Sequence, residues 1–316
     1  MLKFLRILKI IWIFMTLPYT ETTGINDLIF KCHQPALVRE VGVFVPVKVL
    51  ATVIADYITS HEDCFGAEQW REYFGVDVVD KNLSLNPYEF YSFWFDSDPV
   101  DPTRLICDTH LRPILRPRIT KYIRGQIPNP YSLRSLGQMI QRPRKGHPSR
   151  YGYHNVRAFN EHGLTKVKSS CWVVMRREVL AKGKSYSEQE QAIADLNKKP
   201  NVGYEKFSSV IDIATALCVN HCMTGERLLG DNTGVEKIWT CSQAKEIVVV
   251  RVKESEKMKK TYQFVERERK CHVLIGGFSA SVSTVNKTTL ASLRIGHTYL
   301  NEESVGIVPI RIFNVI

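Results

Sequence analysis

The stretch YEKFSSVIDIATALCVNHCMTGERL, Tyr204–Leu228, decides how the rest of the chain is read. Phe207, Val210, Ile211, Ala214, Leu217, Cys218 and His221 recur at intervals of three and four, which predicts a helix over Tyr204–Thr224 with one apolar stripe. Gly225 stands where a left-handed cap would end it. Cys218, His221 and Cys222 fall at i, i+3 and i+4, so one helix face presents three soft metal ligands. Cys241, or the adjacent Cys271 and His272, would supply the fourth ligand of a structural zinc. The other reading is the sulfur-rich inner stripe of a core helix, because free cysteine behaves as a small hydrophobe. Zinc sites usually announce themselves with two short ligand pairs, and one such pair here favours the core.

Outward from this helix, the neighbours read as alternating short elements. EIVVVRVK (Glu246–Lys253) predicts a strand leading into the charged ESEKMKK, a hairpin or loop. CHVLIGGF (Cys271–Phe278) predicts a strand ending in a Gly-Gly turn. VGIVPIRIF (Val305–Phe313) predicts a closing strand that Pro309 places at an edge or a bulge. On the other side, SEQEQAIADL (Ser187–Leu196) has the serine start and third-position glutamate of a capping box, and SCWVVM (Ser170–Met175) has strand composition. Residues 82–148 are proline-rich and read as irregular, with a strand near Arg104–Cys107 and a short helix over Ser132–Ile140. The carboxylates of FDSDPVD, at Asp96, Asp98 and Asp101, lack the glycine and distal glutamate of a calcium loop and read as an exposed acidic turn. Phe65, Trp70, Tyr73 and Phe74 recur at helical spacing before Gly75, giving an amphipathic helix with an aromatic face. Pro46 opens a further predicted helix over Val47–Ile58. With no repeat, heptad or long linker, the expected class is α+β: one mixed domain over 61–316 with a small, mainly antiparallel sheet, after an apolar helical segment over 1–60.

Composition narrows the functions. The chain has 316 residues, 44% of them apolar, enough to fill a core and too apolar for disorder. Its formal charge of +11 suits an anionic partner. Much of that charge is local: from Thr109 to Asn160 there are eleven Lys or Arg and no acid. Arg142, Arg144, Lys145 and Arg150, interleaved with tyrosines nearby, are the candidate nucleic-acid contacts. The opposing reading is a solvated face balanced by acids elsewhere. Eight cysteines in this length fall far below a disulfide scaffold, and the sequons at Asn82 and Asn286 matter only in a secretory pathway. Lys3, Arg6 and Lys9 precede an apolar run over Ile10–Met15, a start compatible with a secretory signal. That run is shorter than the ~20 apolar residues a bilayer span requires, so no transmembrane span is expected.

Motifs of catalysis are few. Gly183-Lys184-Ser185 ends like a P-loop, but Glu178 stands where its first glycine belongs, and neither a G-x-S-x-G elbow nor an H-E-x-x-H helix occurs. Cys64, near His61, and Cys171, in SCWVVM, are the candidate nucleophiles of a thiol-dependent enzyme. No cofactor is expected.

An ordered set of segments resembles a group of proteins from amoeba-associated chlamydia-like bacteria, some with an F-box-like segment at the N-terminus. The set is AEQWREYFG at Ala67, DTHL at Asp108, SLGQMIQRPRKGH at Ser135, SCWVVM at Ser170, KSYSEQ at Lys184, TGERLL at Thr224, WTC at Trp239, GGF at Gly276 and VGIVPIRIF at Val305. It keeps its order across 62–313. The resemblance implies no assigned activity. It also implies ordinary apolar residues where Cys218 and Cys222 stand, which supports the core reading of that helix. LIFKCHQPALVREVG lacks the Leu-Pro opening of the F-box-like pattern. The expected function is a noncatalytic protein-binding module or effector of an intracellular bacterium; the alternatives are the thiol enzyme and nucleic-acid binding through 109–160.

Overall fold

The structure, a computed structural model, describes residues 64–123, 128–152, 156–229, 241–258, 261–282, 289–298 and 304–315. The 1–60 segment with its signal-like start, the helix expected over Val47–Ile58 and the Asn286 sequon lie outside the described residues. In chain order the elements are α1 (Ala67–Gln69), continued by a π-turn over Trp70–Phe74, then β1 (Val76–Val78), α2 (Pro87–Trp94), α3 (Ile106–Thr109), β2 (Ile114–Arg116), β3 (Ile119–Tyr122), β4 (Asn129–Pro130) and α4 (Leu133–Met139). There follow β5 (Ser149–Gly152), α5 (Val156–His162), β6 (Cys171–Met175), α6 (Tyr186–Leu196), α7 (Val210–Thr224), β7 (Cys241–Met258), β8 (Thr261–Val282), β9 (Thr289–Thr298), β10 (Val305–Gly306) and β11 (Ile310–Asn314). The class is the expected α+β, with mainly antiparallel pairing.

The central helix starts later than its apolar pattern suggests. Ser209 caps α7, its hydroxyl accepting the Asp212 N–H at 3.2 Å, and Glu246 reaches from β7 to accept the Val210 N–H at 2.8 Å. A serine that bonds the backbone this way sets a start that apolar spacing cannot reveal. Gly225, at φ 73°, ends the helix as expected. The single stripe is overturned: Ile213, Leu217, Cys218 and Val219 are buried, and so are Asp212, Thr215, Asn220 and His221. A helix covered all round is a central element. It packs against β2, β5, β6, β7, β8 and α4.

Two sheets flank it. β6, buried along its whole length, lies between β11 and β2 in an antiparallel three-stranded sheet. The second has the order β10-β7-β8-β9-β5, with parallel pairs at both ends. Pro309 marks a change of sheet, with an edge strand on each side as expected: Val305–Gly306 pair with β7, whereas Ile310–Asn314 pair with β6. The Gly-Gly pair does not turn the chain either. β8 runs on to Val282 with a register shift between Gly276 and Phe278, a bulge that glycine permits. A third small sheet has the order β1-β3-β4.

Three local expectations meet the structure in different ways, and one further helix forms. The capping box of α6 is Ser185 with Glu188, two residues upstream of the expected Ser187, and the Glu188 carboxylate accepts the Ser185 N–H at 2.8 Å. α4 forms within the short helix expected over Ser132–Ile140, with Ser132 as its N-cap. Where a strand was expected near Arg104–Cys107, α3 forms instead. α2 falls within 82–148, which its prolines make read as irregular. Packing decides it: Phe90 and Phe93 meet Phe313 of β11 at ring distances of 5.3 and 5.6 Å.

Candidate functional site

The cysteine-histidine helix and the basic segment, separate in sequence, meet in the fold. The loop 141–148 lies over the C-terminal end of α7. Its backbone is pinned on three sides: the Arg144 N–H donates to the Tyr73 carbonyl at 2.6 Å, the His147 N–H to Cys222 at 2.8 Å and the Ser149 N–H to Ile140 at 2.8 Å. Gly146, at φ 86°, sits so close that a Cβ there would collide with the Cys222 carbonyl oxygen. Cations suit this place, because a helix C-terminus carries partial negative charge. Gly146→Ala is expected to cost about 1–3 kcal/mol, combining the left-handed backbone with the collision, and urea unfolding measures it.

This packing determines what the candidate ligands do. Cys218 is buried in the core, and burial pushes its thiol well above the usual range. The Cys222 thiol, pushed up to about 12 by burial, donates to the Lys145 carbonyl at 3.5 Å. Nδ1 of His221 donates to the Glu226 carbonyl at 3.2 Å, and its ring lies 6.1 Å from that of His147. Of the suggested fourth ligands, Cys241 opens β7 with its backbone N–H donating to the Ser304 carbonyl at 2.9 Å, Cys271 bonds the Arg269 carbonyl, and His272 bonds the Ala244 carbonyl and stacks on the Tyr186 ring. Among the described residues, no group of three or more His, Cys, Asp or Glu is placed to hold a metal ion.

Of the candidate nucleic-acid contacts, Arg142, Arg144 and Lys145 share the loop and are exposed. Lys145 pairs with Glu72, an exposed surface contact. Arg150 does not join them; it stands on β5 and donates to the Ser292 hydroxyl of β9 at 3.1 Å.

A second cluster escaped sequence reasoning. Asp98, expected on an exposed turn, is buried, and its carboxylate accepts from the Arg176 guanidinium, the Thr109 hydroxyl, and the N–H groups of Val100 (2.7 Å) and Asp101 (3.0 Å). Burial alone would raise its pKa, but these bonds together with Arg176 outweigh that and hold it below the usual carboxylate range. His110 lies beside it. Its Nδ1 is 3.0 Å from the Ile106 carbonyl, which can only accept, so Nδ1 carries the proton and Nε2 accepts from the Tyr204 hydroxyl at 2.8 Å. Burial, reinforced by the nearby Arg176 charge, pulls His110 down to about 3. Both ring nitrogens are used inside the core, so the imidazole is a neutral bridge between α3 and Tyr204 and is not poised to move protons. DTHL at Asp108 and the arginine straight after a wholly apolar strand were the signals available; neither says that a buried acid waits 78 residues upstream.

The candidate nucleophiles are core residues as well. Cys64 and Cys171 are both buried, and burial pushes Cys171 up to about 12 against the pull of Arg116. Arg116 itself is taken by Asp212 at 2.6 Å and the Ser169 carbonyl at 2.8 Å. The Cys171 thiol is therefore neutral at physiological pH. No family model, curated protein or solved structure matches this chain.

Proposed function

We propose that the chain is a noncatalytic protein that works by binding another protein, as an effector of an intracellular bacterium would. The observation that carries this reading is the β7–β8 hairpin. Its last eleven pairs, from Val248 with Cys271 to Met258 with Thr261, run beyond the reach of β9, which stops pairing at His272, and of β10, which pairs at Cys241 and Ser242. Among the described residues no third strand lies beside them. The root is held firmly: the Lys245 N–H donates to the Ser208 carbonyl at 3.0 Å, Glu246 caps α7, and His272 stacks on Tyr186 at 3.8 Å. A two-stranded ribbon is marginal by itself in water, so a fixed root with a ribbon that no third strand pairs among the described residues supports a contact arm. Ten of the 22 residues in these pairs are charged, which deters indiscriminate pairing of the edges and leaves polar selectivity.

Two experiments bear on the reading. Removing 251–268 and joining Val250 to Arg269 through Asn-Gly is expected to keep the fold while abolishing a complex reconstituted from the purified full chain and its partner; undiminished binding overturns the arm as contact. Native alkylation with an iodoacetamide probe is expected to label Cys64 and Cys171 at least about 100-fold more slowly than in denaturant. Rapid labelling of either cysteine in the folded chain would restore the thiol-enzyme reading.

A further inference from the structure

We propose that the loop 141–148 is a weak docking point for the phosphate backbone of a nucleic acid, on a surface separate from the β7–β8 arm. Among the described residues, the fold sorts the cations of 109–160 by use. Arg116 is spent on Asp212, Arg118 on Asp80, and Arg134 lies over the Phe159 ring at 5.9 Å. Arg142 and Arg144 are exposed, and no carboxylate pairs with either among the described residues. Lys145, between Arg144 and Gly146, pairs with the exposed Glu72, a surface pair of the kind worth little and easily exchanged, and lies 5.1 Å over the Tyr73 ring.

Magnitudes decide whether any positive field is left over. Three cations less Glu72 leave a charge of +2, and the partial charge of about −0.5 at the C-terminus of α7 offsets part of it. The residue of between one and two charges, with the exposed His147 beside it, attracts an anion only weakly at physiological salt. Preorganisation adds to it. The loop backbone is pinned at Tyr73, Cys222 and Ile140, so docking orders side chains and not the chain. Phosphate is favoured over a lipid surface because QRPRKGHPSR (141–150) carries no large apolar side chain to insert and forms no amphipathic helix.

The test is fluorescence anisotropy of a labelled 20-nucleotide single-stranded RNA with the full chain between 50 and 200 mM KCl. With about three phosphate contacts, log K is expected to fall against log salt with a slope of about −2. R142E/R144E is expected to weaken binding at least about tenfold at 50 mM while the urea midpoint stays unchanged, and R142Q/R144Q to lie between them. Absent or salt-insensitive binding, equal affinity of R142E/R144E, or tighter binding to phosphatidylserine vesicles than to RNA each overturns the proposal. None of these outcomes bears on the arm-deletion test, which removes a different element.

Discussion

Arg176→Met is expected to cost about 3–5 kcal/mol in urea unfolding, among the largest effects available to one substitution in this chain. The reason is what it leaves behind. Asp98 would keep the Thr109 hydroxyl and the two backbone N–H groups but lose its cation, while its carboxylate stays in the core. The Arg176 Nε has no hydrogen-bond partner, so the pair carries a desolvation cost of its own. Replacing both partners is therefore expected to be gentler than replacing one: D98N in the R176M background should recover part of the loss, since it removes the stranded charge. A cost below about 1 kcal/mol for R176M would mean that solvent reaches Asp98 and that the cluster is not sealed.

Acid should weaken the fold in a pH window set by His110. Its folded pKa lies near 3 and the ordinary value is 6.5, so between those values the unfolded chain binds a proton that the folded chain refuses. A depressed folded pKa contributes stability that is complete above about pH 6.5 and declines as the pH falls. The slope is about 1.4 kcal/mol per pH unit, and the total on approaching pH 3 is on the order of 4 kcal/mol. His221 and His272, also lowered by burial, act in the same direction. Asp98 adds its own loss below the carboxylate range. Urea midpoints at pH 7.5, 6.0, 5.0 and 4.5 separate these, because His110→Gln removes one proton from the upper window alone. The expected result is a shallower decline in the variant; parallel curves for the two proteins would show that His110 charges freely in the folded state. Arg176 helps hold His110 neutral, so R176M should also shorten the window from its acid end.

The loop over α7 illustrates why the site was half legible. Periodicity and Gly225 announced the helix, and the run of cations announced a basic loop, since both are local patterns. That His147 and Gly146 would close on Cys222, 75 residues or more away in sequence, depends on α4 and β5 returning the chain to that end of the helix. Once they do, the cysteine-histidine face has carbonyls and apolar side chains for neighbours, and its sulfur is packing material.

Local patterns alone yielded the α+β class, a helix from Ser132, the Gly225 cap, the strand in SCWVVM and the positive charge of the middle segment. Each of these follows from spacing, capping chemistry or charge within a few residues. Tertiary structure alone decided that α7 is enclosed on every face, that Pro309 divides one apolar run between two sheets, and that aromatic packing on Phe313 makes a helix of PYEFYSFW. It also took Asp98 from an apparent surface turn into the core. A carboxylate is buried only where a guanidinium and several donors converge on it, and that convergence exists only after the chain has folded.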